Sequence, residues 1–304
     1  MTTGVAGRTL NALPPDAMRR SVVLFLALLT ALNPGGALAS FLNLSTRVEI
    51  PPPALGEDVT AVIGGFIIGG NNGRKILIRA LGPSLADFGL VPLPDPTLEL
   101  YDATGAIIAT NDNWGDTQET EIQDTNLAPT DALESAILIT IPPGSYTAIV
   151  RGNRGDGSVP LSISGTTLLE IYDLSLSVGE GLDNISTRGA VQHTADPMII
   201  GFVIANGDEQ TVVIRALGPS LEIFGLSGLA DPRLDVFDGD GNLLASNDNW
   251  QDSQATEIEA TGLAPSDPLE AATLLTLPRG NYTALLSPVD GVSHGVALAE
   301  LYRL

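Results

Sequence analysis

Arg79-Ala80-Leu81-Gly82-Pro83-Ser84-Leu85 returns letter for letter as Arg215-Ala216-Leu217-Gly218-Pro219-Ser220-Leu221. Asn111-Asp112-Asn113-Trp114 returns as Asn247-Asp248-Asn249-Trp250. Both offsets are 136 residues, and that offset holds without a gap from Gly65 to Ala148, where about 45 of 84 positions are identical to their partners. Solenoid units run to roughly 20–50 residues, so a period this long has the size of a whole folded unit. The chain reads as two copies of one fold in tandem, and function is to be sought in what both copies keep.

The edges of the copies also match. Leu44-Ser45-Thr46-Arg47 pairs with Ile185-Ser186-Thr187-Arg188, and Glu170-Ile171-Tyr172-Asp173-Leu174 with Glu300-Leu301-Tyr302-Arg303-Leu304. This places a first module at 40–174, a short linker at 175–182 and a second module at 183–304. Ahead of them, Arg19-Arg20, the apolar run Val22 to Leu32, the breaker Asn33-Pro34-Gly35-Gly36 and Ala37-Leu38-Ala39 spell an export signal at 1–39, with Met18 as an alternative start. The apolar run is shorter than the roughly 20 residues a membrane-spanning helix needs. The expected location is secreted or periplasmic, extending to the cell surface.

Without that leader the chain holds 11 basic and 35 acidic residues, a net charge of about −24, and Lys75 is its one lysine. Such a surface repels phosphate backbones and anionic bilayers, so neither nucleic acid nor a membrane is the expected partner. The chain has no cysteine, which rules out disulfides, thiolate metal sites and a thiol nucleophile.

Within a module the hydrophobic period is two. Leu44–Glu49, Val62–Ile68, Arg74–Leu81, Leu98–Tyr101, Ala106–Thr110, Ser135–Ile141, Tyr146–Arg151 and Thr167–Tyr172 are short runs rich in Ile, Leu, Val, Thr and Tyr, bounded by turn formers. Asp102-Ala103-Thr104-Gly105 and Asp238-Gly239-Asp240-Gly241 read as hairpin turns. Pro142-Pro143-Gly144 and Pro278-Arg279-Gly280 read as the junction of the next strand pair, and Asn72-Gly73 and Asn206-Gly207 as the turn of a third hairpin. One short helix is expected at Thr117–Asp124. The pattern predicts an all-β chain of two tandem antiparallel β-sandwich, jelly-roll-like domains of about eight strands each.

Oxygen-bearing residues recur in both copies: Asp95/Asp231, Asp102/Asp238, Asn111/Asn247, Asp112/Asp248, Asn113/Asn249, Asp116/Asp252 and Glu121/Glu257. Calcium takes six to eight oxygens from such loops, which makes Asp112, Asp116, Asp248 and Asp252 candidate ligands. Backbone-bonding turn chemistry accounts for the same residues. Asp238-Gly239-Asp240-Gly241-Asn242 opens like an EF-hand loop, but Leu243 stands where that loop needs glycine. Trp114 and Trp250 occupy equivalent loops and are either faces for stacking on a sugar or apolar plugs closing the sheet. Arg79 and Arg215 sit on the opposite strand face from Ile78 and Ala80. Their expected partners are Glu99 and Asp235 in a cross-strand ion pair, with an anionic ligand as the alternative.

No catalytic set is expected. His193 and His294 have no counterparts in the other copy, and no G-x-S-x-G, H-E-x-x-H or P-loop pattern is present. Glu134/Glu270 and Glu121/Glu257 are duplicated carboxylates that nothing in the sequence singles out as an acid–base pair.

The combination of Leu-Ser-Thr-Arg, Arg-Ala-Leu-Gly-Pro-Ser-Leu, Asp95-Pro96 with Leu98-Glu99-Leu100-Tyr101-Asp102, Asn-Asp-Asn-Trp, Leu-Glu-Ser-Ala, Tyr146-Thr147-Ala148-Ile149-Val150 and the closing Glu-Ile-Tyr-Asp-Leu resembles repeat modules of large secreted and cell-surface proteins of environmental bacteria. It covers nearly the whole chain after the leader. More distantly, the hairpin Leu98–Ile108 with Pro143-Gly144-Ser145-Tyr146-Thr147 is similar to bacterial pre-peptidase C-terminal domains. Those are jelly-roll-like appendages of secreted proteases, some of which bind calcium and insoluble substrates; the Arg-Ala-Leu-Gly-Pro-Ser-Leu segment departs from their pattern. Neither resemblance implies an enzymatic activity. The expectation is a secreted, non-catalytic protein of surface attachment or extracellular structure, whose partner is an extracellular polymer or surface protein. The alternatives are a polysaccharide-binding pair using Trp114 and Trp250, or a calcium-stabilised accessory module of a secreted system.

Overall fold

The computed structural model describes residues 40–51, 60–153, 163–175 and 181–304. The expected leader at 1–39 and residues 176–180 of the linker lie outside them. Among the described residues no helix is long and apolar enough to cross a membrane.

The fold is all-β. The first repeat supplies β1 (Ser40–Ile50), β2 (Val62–Ile68), β3 (Arg74–Leu81), β4 (Pro96–Tyr101), β5 (Ile107–Asn111), β6 (Ser135–Ile141), β7 (Gly144–Gly152) and β8 (Gly165–Asp173). The second supplies β9 (Leu182–Val191), β10 (Met198–Leu217), β11 (Pro232–Asp238), β12 (Leu243–Asn247), β13 (Ala271–Pro288) and β14 (Gly295–Arg303). Two short helices, α1 (Glu119–Gln123) and α2 (Ala255–Ala260), fall where the duplicated pattern expects one per copy. Strand period sets the faces: in β4, Pro96, Leu98 and Leu100 are buried while Thr97, Glu99 and Tyr101 alternate outward.

β10 covers the second-repeat counterparts of both β2 and β3, and β13 those of β6 and β7. The register of β10 against β13 jumps between Ile204 and Glu209. Asn206-Gly207 therefore lies within one continuous strand. The reading of Asn72-Gly73 and Asn206-Gly207 as hairpin turns is corrected, because β2 pairs with β7 and β9, and β3 with β6 and β8, never with each other. The same holds across Pro142-Pro143-Gly144, since β6 pairs with β3 and β7 with β2 and β4. These junctions carry the chain from one group of strands to another.

The pairing crosses the boundary between the repeats. β1 lies between β8 of its own repeat and β10 of the second, with Leu44 opposite Phe202 and Thr46 opposite Ile200. β9 lies between β14 of its own repeat and β2 of the first, with Phe66 opposite Ile185. Each repeat thus gives its first strand to the sheet of the other. β1 and β9 also meet in parallel, Phe41 with Leu182 and Glu49 with Ala190. The pairings β1–β10, β10–β14, β14–β9 and β9–β1 link the two repeats, and the fold contains a closed six-stranded barrel with further strands outside it. The expected picture of two separate sandwiches does not contain this exchange: period two specifies which face of a strand is buried, not which chain segment lies beside it.

One apolar core runs through both repeats. It joins Leu44, Val48, Phe66, Ile78 and Ile171 of the first to Ile185, Phe202, Ile214, Tyr282 and Leu301 of the second. Phe41 meets Phe202 edge-on at 5.8 Å between ring centroids, an aromatic contact that spans the repeats. Backbone approaches are close there: a Cβ added to Gly189 in β9 would lie 2.5 Å from a Val48 methyl of β1.

Candidate functional site

β3 and β8 are buried on both faces. Ile76, Ile78, Ala80, Leu169 and Ile171 point into the main core. Leu77 and Tyr172 point the other way, into a small second core with Ile122, Leu127, Ala136, Leu138 and Trp114. The excursion between β5 and β6, carrying α1, covers that outer face. The second repeat repeats the arrangement with Trp250, Ile258 and Ala272. The duplicated motifs collect at this covered face.

Asn111 and Asn247 fix the start of the excursion. Asn111 Oδ1 accepts from the Ala136 N–H at 2.9 Å and its Nδ2 donates to the Asn113 carbonyl at 3.0 Å. Asn247 does the same with Ala272 and Asn249, both at 2.9 Å. Trp114 and Trp250 then turn inward. Each indole N–H donates at 3.1 Å to a carbonyl, that of Asp131 or Asp267. Trp250 is only 5% exposed. The Trp250 ring packs among Ile258, Ala255 and Leu274 over the sheet, and Trp114, half-buried, packs in the same way with Ile122 and Leu138.

Beneath the plug sits an ion pair. Arg79 Nε donates to Glu170 Oε2 at 2.9 Å, and Nη2 reaches the same oxygen. Nη1 donates to the Leu127 carbonyl, and Nη2 also meets the Tyr172 hydroxyl at 3.1 Å. Tyr172 donates to Glu170 Oε1 at 2.8 Å, and the guanidinium lies 5.1 Å from the tyrosine ring centre. Burial is the largest single influence and would lower the Arg79 pKa, but Glu170, Tyr172 and Glu134 together turn the net direction up. Burial, then the Glu170 charge, holds the Tyr172 hydroxyl well above its ordinary value. Arg215, Glu300, Tyr302 and the Leu263 carbonyl repeat the set, with Tyr302 pushed up to about 12 by burial and then by Glu300.

The partners expected from sequence, Glu99 and Asp235, are elsewhere. Glu99 accepts from Tyr101 at 2.9 Å and lies 3.7 Å from Arg151, and Asp235 pairs with Arg233 at 3.0 Å. β3 has β6 and β8 as neighbours, so the residue opposite Arg79 is Glu170. All three guanidinium nitrogens of Arg79 are engaged inside the fold, and the side chain is buried.

Glu134 and Glu270 are fully buried. Glu134 Oε1 accepts from the backbone of Gly82 and Ser84 at 2.9 and 3.1 Å and from the Ser84 hydroxyl. Glu270 does the same for Gly218 and Ser220. This explains the invariant Gly-Pro-Ser of the two copies: a buried carboxylate holds the chain reversal that ends β3. The sequence carried the signal, since both glutamates are duplicated, but not the reason.

The acidic candidates divide. Asp116 accepts from Asn113 Nδ2 at 3.2 Å, and the Asp252 N–H donates to the Asn249 carbonyl at 3.0 Å, both within tight turns. Asp112 accepts from Asn153 Nδ2 at 3.0 Å on each oxygen. It faces Asp95, whose Oδ1 is buried without a partner and whose carboxyl is raised by burial and then by Asp112. Asp248 likewise faces Asp231, raised by burial, then by Asp248 and Asp290, again with an unpartnered Oδ1. Among the described residues no group of three or more His, Cys, Asp or Glu is placed to hold a metal. Asp102 and Asp238 serve as turn formers: Asp102 Oδ1 accepts from Thr104 N and Ala106 N at 2.8 and 3.1 Å.

No protein-family model matches the chain, and no curated protein matches it. Among solved structures it is similar to one from Sulfolobus turreted icosahedral virus, at 12% identity and TM-score 0.22 over 88% of this chain and 90% of that one. A DUF4785 family protein from Legionella pneumophila is similar at 9% identity and TM-score 0.26, over 86% of this chain and 63% of that one. At such TM-scores neither likeness informs the fold or the function of this chain.

Proposed function

We propose that this is a secreted, non-catalytic protein of surface attachment or extracellular structure. Each repeat is read as a jelly-roll-like sandwich that has exchanged its first strand with its sibling. The result is one stiff body carrying two equivalent faces.

The observation that carries the reading is a duplicated set of exposed apolar residues. Phe88 and Phe224 are 47% and 73% exposed, Ile107 and Leu243 55% and 54%, and Leu133 and Leu269 46% each. Each pair is related by the same 136-residue offset. A single exposed apolar side chain is ordinary. The same positions left apolar and open in both copies support their reading as surface for contact. Two such faces on one body multiply a weak contact by avidity. The acidic remainder of the surface keeps the protein soluble between contacts.

The test is adsorption of the purified chain, without residues 1–39, to insoluble extracellular polymers (cellulose, chitin) and to bacterial cell-surface preparations. F88S or F224S alone should weaken retention moderately, and F88S/F224S should weaken it by far more than the two single losses combined. Retention of the double variant at the wild-type level, or turnover of a hydrolase substrate by the purified chain, contradicts the reading.

A further inference from the structure

One outer sheet face exists twice in the molecule, and the chain closes only one of the two. On the closed face Leu168 of β8, Arg47 of β1, Ile199 of β10, Leu285 of β13 and Asp235 of β11 stand opposite one another in register. Directly opposed residues share a face. Leu168, Arg47, Ile199 and Leu285 are all buried. Leu85, from the short 3-10 helix Pro83–Phe88, packs into this row with Phe237, and Leu90 and Val203 lie against it. Arg47 has Asp196 Oδ1 at 3.7 Å.

The equivalent row is Leu298 of β14, Arg188 of β9, Ile63 of β2, Ile149 of β7 and Glu99 of β4. All five are only half-buried. Ile67, four residues along β2 from Ile63 and on the same face, is exposed, whereas its counterpart Val203 is packed. The sibling 3-10 helix, Pro219–Phe224, is anchored beside this row. Its Leu221 packs with Ala190, two residues along β9 from Arg188, and with Val296. That cluster reaches Leu226 and Leu298 and takes in neither Ile63 nor Ile149. Two residues mark the open side. Ile223 stands where the first repeat has Asp87, and it is 81% exposed. Arg188 stands where Arg47 meets Asp196, and among the described residues no ion pair engages Arg188 or the exposed Glu222.

We propose that a second copy of this chain docks on the outer face of β4–β7–β2–β9, in a two-fold dimer where Glu222 and Ile223 of each copy meet Arg188, Ile63 and Ile149 of the other. An arginine without a carboxylate beside it, on a chain of net charge −22, favours an acidic partner. The chain is itself acidic, and Glu222 presents a carboxylate next to the exposed Ile223 and Phe224. Helix and face adjoin through Leu221, Ala190 and Leu298, so they form one continuous patch that can serve both halves of an isologous contact. The twin face is closed to such a contact by Leu85 and Leu90, and its helix carries Asp87 in place of Ile223. Four strands about 4.8 Å apart, over about five residues of ~3.4 Å each, present roughly 300 Å² of sheet per copy. With the helix added, this is the small end of specific interfaces, so the dimer is weak and concentration-dependent. The inference uses residues in which the repeats differ, and it does not rest on the attachment reading, which uses those they share.

Sedimentation velocity of the purified chain without residues 1–39, over a dilution series, reads the dimer directly. The wild type should approach twice the single-chain mass when concentrated and return to one chain on dilution. I223D, which gives the second repeat the side chain of the first, should weaken association about tenfold or more. R188E and E222R should each weaken it, and R188E/E222R should recover most of the loss, because the charges are exchanged rather than removed. All of these variants keep Phe88 and Phe224, so adsorption to polymers is scored separately. A single-chain mass at every concentration, an unweakened dimer in I223D, or a charge-exchanged double variant no stronger than R188E alone overturns the proposal.

Discussion

Thr46 and Thr187 hold the same position in the two repeats, and they touch each other: their hydroxyl oxygens lie 2.8 Å apart and both side chains are fully buried. A residue that meets its own equivalent is the mark of a two-fold interface, here between two halves of one chain. It places the junction of the repeats at the centre of β1 and β9, the two exchanged strands.

Replacing Thr46 alone with valine keeps the shape and leaves the Thr187 hydroxyl buried without its partner. T46V and T187V should each cost about 1–3 kcal/mol, and the double variant should recover most of the loss. A double-mutant cycle in urea measures the coupling. Equal, additive losses would mean that the two hydroxyls do not depend on each other.

The ion pair under the tryptophan plug is buried more deeply in the first repeat. Arg79 and Glu170 side chains are 5% and 2% exposed, against 15% and 7% for Arg215 and Glu300. R79M strands a buried carboxylate and should cost roughly 3–5 kcal/mol. R215M should cost less, because water reaches its partner. Chemical denaturation of both variants decides the order.

The glycine of the duplicated Gly-Pro-Ser is required by space. A Cβ on Gly82 would lie 2.1 Å from the Leu93 carbonyl oxygen, and one on Gly218 would lie 2.0 Å from that of Leu229. Backbone cannot swing aside as a side chain does, so G82A and G218A should each lose roughly 1–3 kcal/mol. A melting temperature unchanged in either variant would show that the reversal has slack.

Asp231 gives a pH test with a definite sign. Burial, Asp248 and Asp290 raise its pKa in the fold. Its contribution is therefore favourable below the ordinary carboxylate range and is lost as the pH rises through the raised value. D231N should raise the melting temperature at pH 7, and the advantage should shrink as the pH falls towards 4. A benefit that does not depend on pH would point to packing instead of charge.

Much of this was legible in the residues. All eight runs read from period two in the first repeat are strands, because alternation and the bounding Gly, Pro, Asn and Asp act locally. Thr117–Asp124 is helical at its centre for the same reason. The exchange of β1 and β9 was not legible. Leu44, Phe66 and Ile185 show that they are buried, but an apolar alternation is satisfied by any neighbour with the right face. The partner of Arg79 was missed on the same ground, since Glu99 and Glu170 are equally plausible until the strand order is known. The roles of Glu134 and Trp114 depend on what the excursion between β5 and β6 covers, which is a matter of tertiary packing and leaves no local trace.

The repeats share strands across their boundary, through β1–β10 and β2–β9, and are expected to fold as one body. A specific protease site placed between Ser175 and Gly181 and cut to completion under native conditions separates the two repeats covalently. The two pieces should remain together in size-exclusion chromatography under native conditions and unfold in a single calorimetric transition. Two folded particles of about half the mass, separating without denaturant, would contradict it.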